Sequence, residues 1–270
     1  MNRKFLQNIT TCVMLLCSLF SYGQGGDSDL SLRVFGDQEE IVYRVYYNWR
    51  FFWIPAGEVR FNVNEKDIYF EFVVEGRSYP SYDSFFKVRD DYVSRAEKES
   101  LLPINFRRHI EEGRYFVYDS LSFEQEGLIQ EYFGKTKQTA KLFEFEISKP
   151  VFDMVSAIYS LRCLPLAEYE AGDEIPFRIF FDKELFELNL EFEGGETKKI
   201  RGLGKLNTWK ARLDLIDGYV FKEGDIMNIW ISRDENKLPL LIESPISFGS
   251  VKAVLISAKG LSYPSQLKLE

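Results

Sequence analysis

Histidine and cysteine are nearly absent from this chain. There is one histidine, His109, and there are three cysteines, two of them close to the N-terminus. Zinc sites commonly draw on several Cys or His ligands, and one of each does not make such a site. A Ser-His-Asp or Cys-His arrangement would have to use His109, and no G-x-S-x-G nucleophile elbow accompanies it. His109 also shares strand parity with Asn105 and Arg107, which reads as a solvent face. A positive excess is lacking as well. The formal charge is −8, which argues against nucleic acid and against electrostatic attachment to anionic lipid. No linker of low complexity divides the sequence, and no apolar run is long enough to span a hydrocarbon core of about 30 Å comfortably.

The apolar run that does occur is short and N-terminal. Arg3 and Lys4 form a positive start, residues 9–20 are apolar, and Ser21-Tyr22-Gly23 places small residues at a cleavage site. This is the pattern of a secretory signal covering residues 1–23, with the mature chain beginning at Gln24. Removing Arg3 and Lys4 moves the formal charge from −8 to −10. Cys12 and Cys17 leave with the signal, so Cys163 remains alone and no intramolecular disulfide can form, despite an oxidising destination. The expected location is the periplasm, with release from the cell as the other destination. Stability has to come from a hydrophobic core and from strand ladders.

The mature chain reads as strand after strand. Residues 24–39 carry Gly, Asp and Ser and read as a flexible lead-in. Ile41, Tyr43, Val45, Tyr47 and Trp49 alternate along a first strand. Residues 51–57 read as a bulky turn, with Pro55 and Gly57 breaking the pairing. Val59, Phe61 and Val63, then Phe70, Phe72 and Val74, continue the period-two pattern of half-buried strands. Phe85, Val88 and Tyr92 lie in a less regular stretch. Further alternation runs through 104–110, 115–123, 128–133 and 142–147. After Pro150, Asp153 is placed to cap a helix whose Met154, Ala157, Ile158 and Leu161 bury one face. Strands resume at 176–181 and 186–192. Gly194-Gly195 reads as a hairpin turn, and further strands continue up to residue 258. The tail, 261–270, is expected to fray.

About fourteen strands and one helix exceed what a single flat twisted sheet carries without curling or splitting. The predicted fold is mainly β: a long curved or rolled antiparallel meander packed around one central short helix. It forms a single domain over residues 40–260 with a soft subdivision near residue 149.

Several separated pieces now stand together: Ala56-Gly57-Glu58; Asp153-x-x-Ser156-x-x-Tyr159-x-x-Arg162; Gly172-Asp173; Ile229-Trp230-Ile231-Ser232-x-Asp234 followed by Leu238-Pro239; and Gly249-Ser250-Val251 with Ala253 and Leu255. In this order and spacing the chain resembles the DUF3108 family of exported bacterial proteins. The resemblance implies an envelope-located, β-rich protein with Asp153, Ser156, Tyr159, Arg162, Trp230 and Asp234 as motif positions. It implies no activity, substrate or catalytic residue.

The chemistry left to weigh is sparse. Gly202-Leu-Gly204 lacks the third glycine and the following helix of a dinucleotide motif, so it reads as a bulge or close packing. Asp234-Glu-Asn236 begins like a calcium loop without its glycine and distal glutamate, and reads as a turn. No cofactor and no metal is expected, and the reading leans away from an enzyme. Aromatic residues, 16% of the chain, are the one excess. Trp49, Phe51, Phe52 and Trp53 either plug the end of the rolled sheet or expose an apolar patch to lipid or a partner. Arg162 either bonds carbonyls inside the fold or captures an anion. The expected function is non-enzymatic binding of an apolar or amphiphilic envelope component, or of a protein partner. The alternatives are an assembly factor without a small ligand and, last, a carboxylate-based hydrolase of an envelope polymer. An open interior near Phe186, Leu188 and Leu190 favours the ligand, and a filled one opposes it.

Overall fold

A computed structural model describes residues 33–49, 52–124, 127–147, 150–215, 224–246, 249–265 and 267. The predicted leader, residues 1–23, lies outside the described residues. Fourteen strands form one antiparallel sheet. The first half runs β1 (Glu40–Trp49), β2 (Phe52–Glu65), β3 (Tyr69–Ser78), β4 (Val88–Glu97), β5 (Pro103–Glu112), β6 (Tyr115–Phe123), β7 (Leu128–Gly134) and β8 (Lys141–Glu146). The second half runs β9 (Asp173–Phe181), β10 (Glu184–Ile200), β11 (Gly204–Asp214), β12 (Ile226–Ser232), β13 (Pro239–Ile246) and β14 (Gly249–Lys259). Helix α1 (Pro80–Asp83) precedes β4, and helix α2 (Met154–Arg162) separates the halves.

The last strand returns to pair with the first, Glu40 opposite Lys259 and Asn48 opposite Ser250. The first and last of these strands therefore meet in mid-sheet, and the two sheet edges are β8 and β9. These edges approach each other without joining in a ladder. Phe145 of β8 packs on Phe180 of β9 at 5.0 Å between ring centroids. The Lys183 ammonium, in the β9–β10 turn, lies 4.3 Å from the Phe133 ring centre and 5.4 Å from that of Phe143. Phe152, just before α2, makes a short parallel bridge to Ile179 of β9. The sheet is rolled but not closed.

Inside the roll lies α2. Its apolar spacing predicts one buried face, yet all nine of its residues are buried. The reason is enclosure: the helix packs on β3 and β4 from one half and β9 from the other. Tyr159 stacks on Phe72 at 3.9 Å and meets Phe35 edge-on at 5.1 Å. Two small crevices lie among the described core residues. A crevice of about 20 Å³ remains between α2 and Tyr43, Phe61 and Ile242. One of about 30 Å³ lies under Tyr82 of α1, against Val45, Ala56 and Val59. Each is roughly the room of a single water molecule.

Several local expectations are corrected. Pro55 and Gly57 do not break the pairing, because β2 runs through both and absorbs Pro55 with a register shift against Val45 and Tyr46. Gly194 and Gly195 are not a hairpin turn either. They lie inside β10, where a bulge after Phe192 shifts the register. The turn falls at residues 201–203, where Gly202 supplies a positive φ. The irregular stretch of Phe85, Val88 and Tyr92 leads into β4, and just before it lies α1, a second helix that sequence periodicity does not suggest. In the lead-in, Val34, Phe35 and Glu39 are buried parts of the fold. In the tail, the Tyr263 backbone N–H donates to the Asn236 side chain, which donates back to the Tyr263 carbonyl.

Gly57 is required by close approach, not by backbone angle. A Cβ there would collide with the Arg77 carbonyl oxygen and come within 2.9 Å of the Ser78 Cα on the paired strand. We predict that Gly57→Ala lowers unfolding free energy by about 1–3 kcal/mol, the usual cost of forcing an extra carbon into a packed site. A urea denaturation curve measures it. An unchanged midpoint would show that β2 and β3 can separate at no cost.

Candidate functional site

The family-motif residues hold α2 in place. Asp153 accepts the backbone N–H groups of Val155 and Ser156 at 2.7 and 3.0 Å, so it caps the helix as its position predicts. Its other oxygen accepts the Ser94 hydroxyl of β4 at 2.6 Å. Ser156 completes a reciprocal capping box with the Asp153 backbone. At the other end Arg162 forms a two-pronged pair with Glu39, at 2.6 and 3.0 Å, and donates to the Asn236 carbonyl at 3.1 Å. Both members of the pair are almost wholly buried. Burial works against the guanidinium charge, but the Glu39 carboxylate outweighs it and holds the Arg162 pKa above its usual range. An anion could reach Arg162 only by displacing Glu39.

Asp234 shapes the turn that delivers the Asn236 carbonyl. Its carboxylate accepts the Ser232 hydroxyl at 2.7 Å and the Asn236 N–H at 3.1 Å. Trp230 is buried, donates to Glu196 and lies under the Lys198 ammonium at 3.5 Å. Cys163 is buried directly after α2, and burial raises its thiol pKa, which disfavours the reactive thiolate.

The structure does not bring the aromatic quartet into one described patch. Trp49 ends β1, and Phe51 falls outside the described residues. Phe52 is 73% exposed, whereas Trp53 is half-buried with the Lys252 ammonium 4.0 Å from its ring centre. His109 is exposed, as its parity indicates.

Sequence reasoning misses a set of inward-facing charges. Asp90, Arg108, Glu112, Asp119 and Glu131 occupy buried positions on β4 to β7. Arg108 donates to Asp119 at 2.9 Å and pairs with Asp182 across the seam. Burial, then the neighbouring Asp119 charge, pushes Glu131 up to about 8. Burial also raises Asp119 and Asp90. Two facing carboxyls suggest hydrolysis, but both are fully buried, so no open cleft admits a substrate between them. A signal for these charges does exist in the sequence: Arg108 shares parity with Phe106 and Ile110, and Glu131 with Ile129.

The opposite face of the same strands is open. Cross-strand pairing aligns Val93, Arg107, Ser120, Tyr132 and Leu142 in one row across β4 to β8. The next row is Arg95, Asn105, Ser122, Gln130 and Glu144. Ser120 and Ser122 are short and sit on the central strand, so the longer side chains of β5 and β7 rise on either side. The result is a trough of about 260 Å³. Its walls stand two strand spacings apart, about 9.5 Å. Tyr132 is 48% exposed on one wall, and Arg107, also exposed, forms no ion pair among the described residues. Arg95 is held by Glu71 at 2.9 Å, and Gln130 donates to Glu144 at 2.9 Å. No group of three or more acidic, histidine or cysteine side chains could hold a metal ion among the described residues.

A rolled, unclosed antiparallel sheet around a buried helix defines a β-barrel-like protein. A solved structure of this class is similar: the β-barrel-like protein of domain of unknown function DUF1849 from Brucella abortus. It superposes with a TM-score of 0.56 at 10% identity, over 84% of this chain and 98% of that one. The hypothetical protein CT021 from Chlamydia trachomatis matches with a TM-score of 0.37 at 8% identity, over 89% and 96%. No curated protein matches the sequence. The family profile of DUF3108, a protein of unknown function, matches residues 42–256, and the chain belongs to that family.

The buried charges can be tested through stability. Arg162→Ala strands the Glu39 carboxylate and should cost about 3–5 kcal/mol. Replacing both partners, Arg162→Met with Glu39→Leu, should recover part of that loss in chemical denaturation. Glu131 ionises at a lower pH in the unfolded chain than in the folded one. Its contribution is complete below the ordinary glutamate range, and it is lost progressively as pH rises to about 8. The melting temperature should therefore fall between pH 5 and pH 8, and Glu131→Gln should flatten that slope. A slope identical in both proteins would show that Glu131 is already ionised in the fold.

Proposed function

We propose that this chain is an exported, non-enzymatic binding protein of the cell envelope that carries its ligand or partner on the outside of the rolled sheet. The observation that carries this reading is where the space lies. The crevice beside helix α2 is about 20 Å³ and the one under Tyr82 of α1 about 30 Å³, whereas the outer trough offers about 260 Å³. Ligand sites are concave and combine apolar surface with a few placed polar groups. The trough meets that description with Val93 and Tyr132 beside amides, hydroxyls and guanidiniums, and Leu142 lies next to Tyr132 on β8. The interior location, expected near Phe186, Leu188 and Leu190, is disfavoured because Leu188 and Leu190 are buried in the core and the half-buried Phe186 packs against it. Export is supported by the leader-like residues 1–23.

Hydroxyl-radical footprinting of the mature protein tests the reading. Adding a solubilised envelope extract should protect Tyr132 and Leu142 while Phe52 and Phe85 stay reactive. Protection confined to Phe52, Trp53 and Phe85 would move the binding surface to the aromatic end and overturn the proposal. The protein recovered from its own cell should have a mass that begins at Gln24.

A further inference from the structure

We infer that the outer trough binds an extended, carboxylated saccharide chain. This rests on the trough being the binding surface, and it names the chemistry that surface would recognise. Three observations carry it. The first is shape. The trough spans two side-chain rows from β4 to β7, with Ser120 and Ser122 of β6 as its floor. Its lining reaches over four strands, about 14 Å, long enough for a short chain of rings lying across them.

The second observation is the lining. Asn105, Ser120 and Ser122 offer donors and acceptors in two consecutive rows, the pattern that matches successive hydroxyl groups. Tyr132 adds an exposed aromatic ring beside them, with Leu142 as its cross-strand neighbour. A ring next to hydroxyl-binding groups suits the apolar face of a pyranose, as amphipathic aromatic surfaces suit ligands that are apolar on one side and wet on the other.

The third observation is charge. Most arginines on this sheet are neutralised by a carboxylate: Arg44 by Glu58, Arg60 by Glu40, Arg95 by Glu71 and Arg212 by Glu191. Arg107 stands outside that pattern. It is exposed, its cross-strand neighbours are Val93 and Ser120, and no ion pair neutralises it among the described residues. A planar guanidinium left open on the wall of a polar trough is matched by a carboxylate on the ligand. On a chain with formal charge −8, such a local cation also gives a polyanion one place to dock.

Isothermal titration calorimetry with the mature protein tests this, using oligogalacturonate, a neutral cello-oligosaccharide of equal length and oligoglutamate. Oligogalacturonate should bind, and added salt should weaken it. The neutral chain should bind roughly tenfold more weakly, the loss of one charge-assisted contact. Oligoglutamate, which carries the charge without rings or hydroxyls, should also be weaker. Arg107→Gln, Tyr132→Ala and the floor-filling Ser120→Leu should each lower affinity for oligogalacturonate by at least about tenfold. None of them should move the melting temperature, because all three side chains point outward.

Equal affinity for charged and neutral saccharides, tighter binding of oligoglutamate, or binding that survives Ser120→Leu would each overturn the inference. So would an absence of oligogalacturonate binding. If Tyr132 and Leu142 are nevertheless protected by envelope extract in that case, the surface is right and the ligand class is wrong. If oligogalacturonate binds but footprints at Phe52 and Phe85, the surface itself has been misassigned.

Discussion

The buried pair between Arg162 and Glu39 is the constraint on which the rest of the structure depends. It fixes one end of α2 to the segment entering β1 and, through the Asn236 carbonyl, to the β12–β13 turn. Asp153 fixes the other end to Ser94 of β4. The helix is thereby tied to three places far apart in sequence that belong to both halves of the sheet. The buried helix supplies Met154, Val155, Ala157, Ile158, Tyr159 and Leu161 as apolar content for the inner face of the sheet. Once the peg is seated, little room is left beside it. The larger open surface therefore lies on the outside of the roll.

The connectivity supports the same arrangement. Because β14 returns to β1, the first and last strands are protected in mid-sheet, and the exposed edges fall in the middle of the chain. Free edges invite pairing with other chains. Here the residues joining β8 to β9 carry the protection themselves. Phe152 bridges to β9 on its way into α2, and the Phe145–Phe180 contact meets it from the β8 side. The seam needs no ladder because α2 and the β9–β10 turn already fill the space behind it. Asp182 and Lys183, both at positive φ in that turn, reach back to Arg108 and to Phe133 and Phe143.

How much of this is legible in the sequence depends on the physics of each signal. Period-two alternation marks which residues face inward, so strands such as those holding Phe61 and Leu190 are legible. Asp153 is legible as a cap because capping is local. Pro55 and Gly194 mislead because both look like breaks, while a bulge absorbs one extra residue without ending a strand. Glu39 cannot be found as the partner of Arg162, since the two lie 123 residues apart. The trough is out of reach for a related reason. The parity of Asn105, Arg107, Ser120 and Tyr132 is visible, but which of them stand side by side is set by register across two strand pairs, and register depends on turns and bulges.

Parity also explains why two polar clusters on the same four strands have opposite meanings. Asp119 and Glu131 face inward, where burial raises the pKa of both acids. A group sealed in that way senses pH through stability and has no access to substrate. Ser120 and Tyr132 are their immediate chain neighbours, yet they face water. There the same backbone presents short side chains flanked by long ones, and the polar groups stay hydrated until a ligand replaces that water. A perturbed acid is commonly the first pointer to a functional site. In this fold the pointer leads inward, to groups that tune stability, and the accessible chemistry lies one residue away on the other face of the sheet.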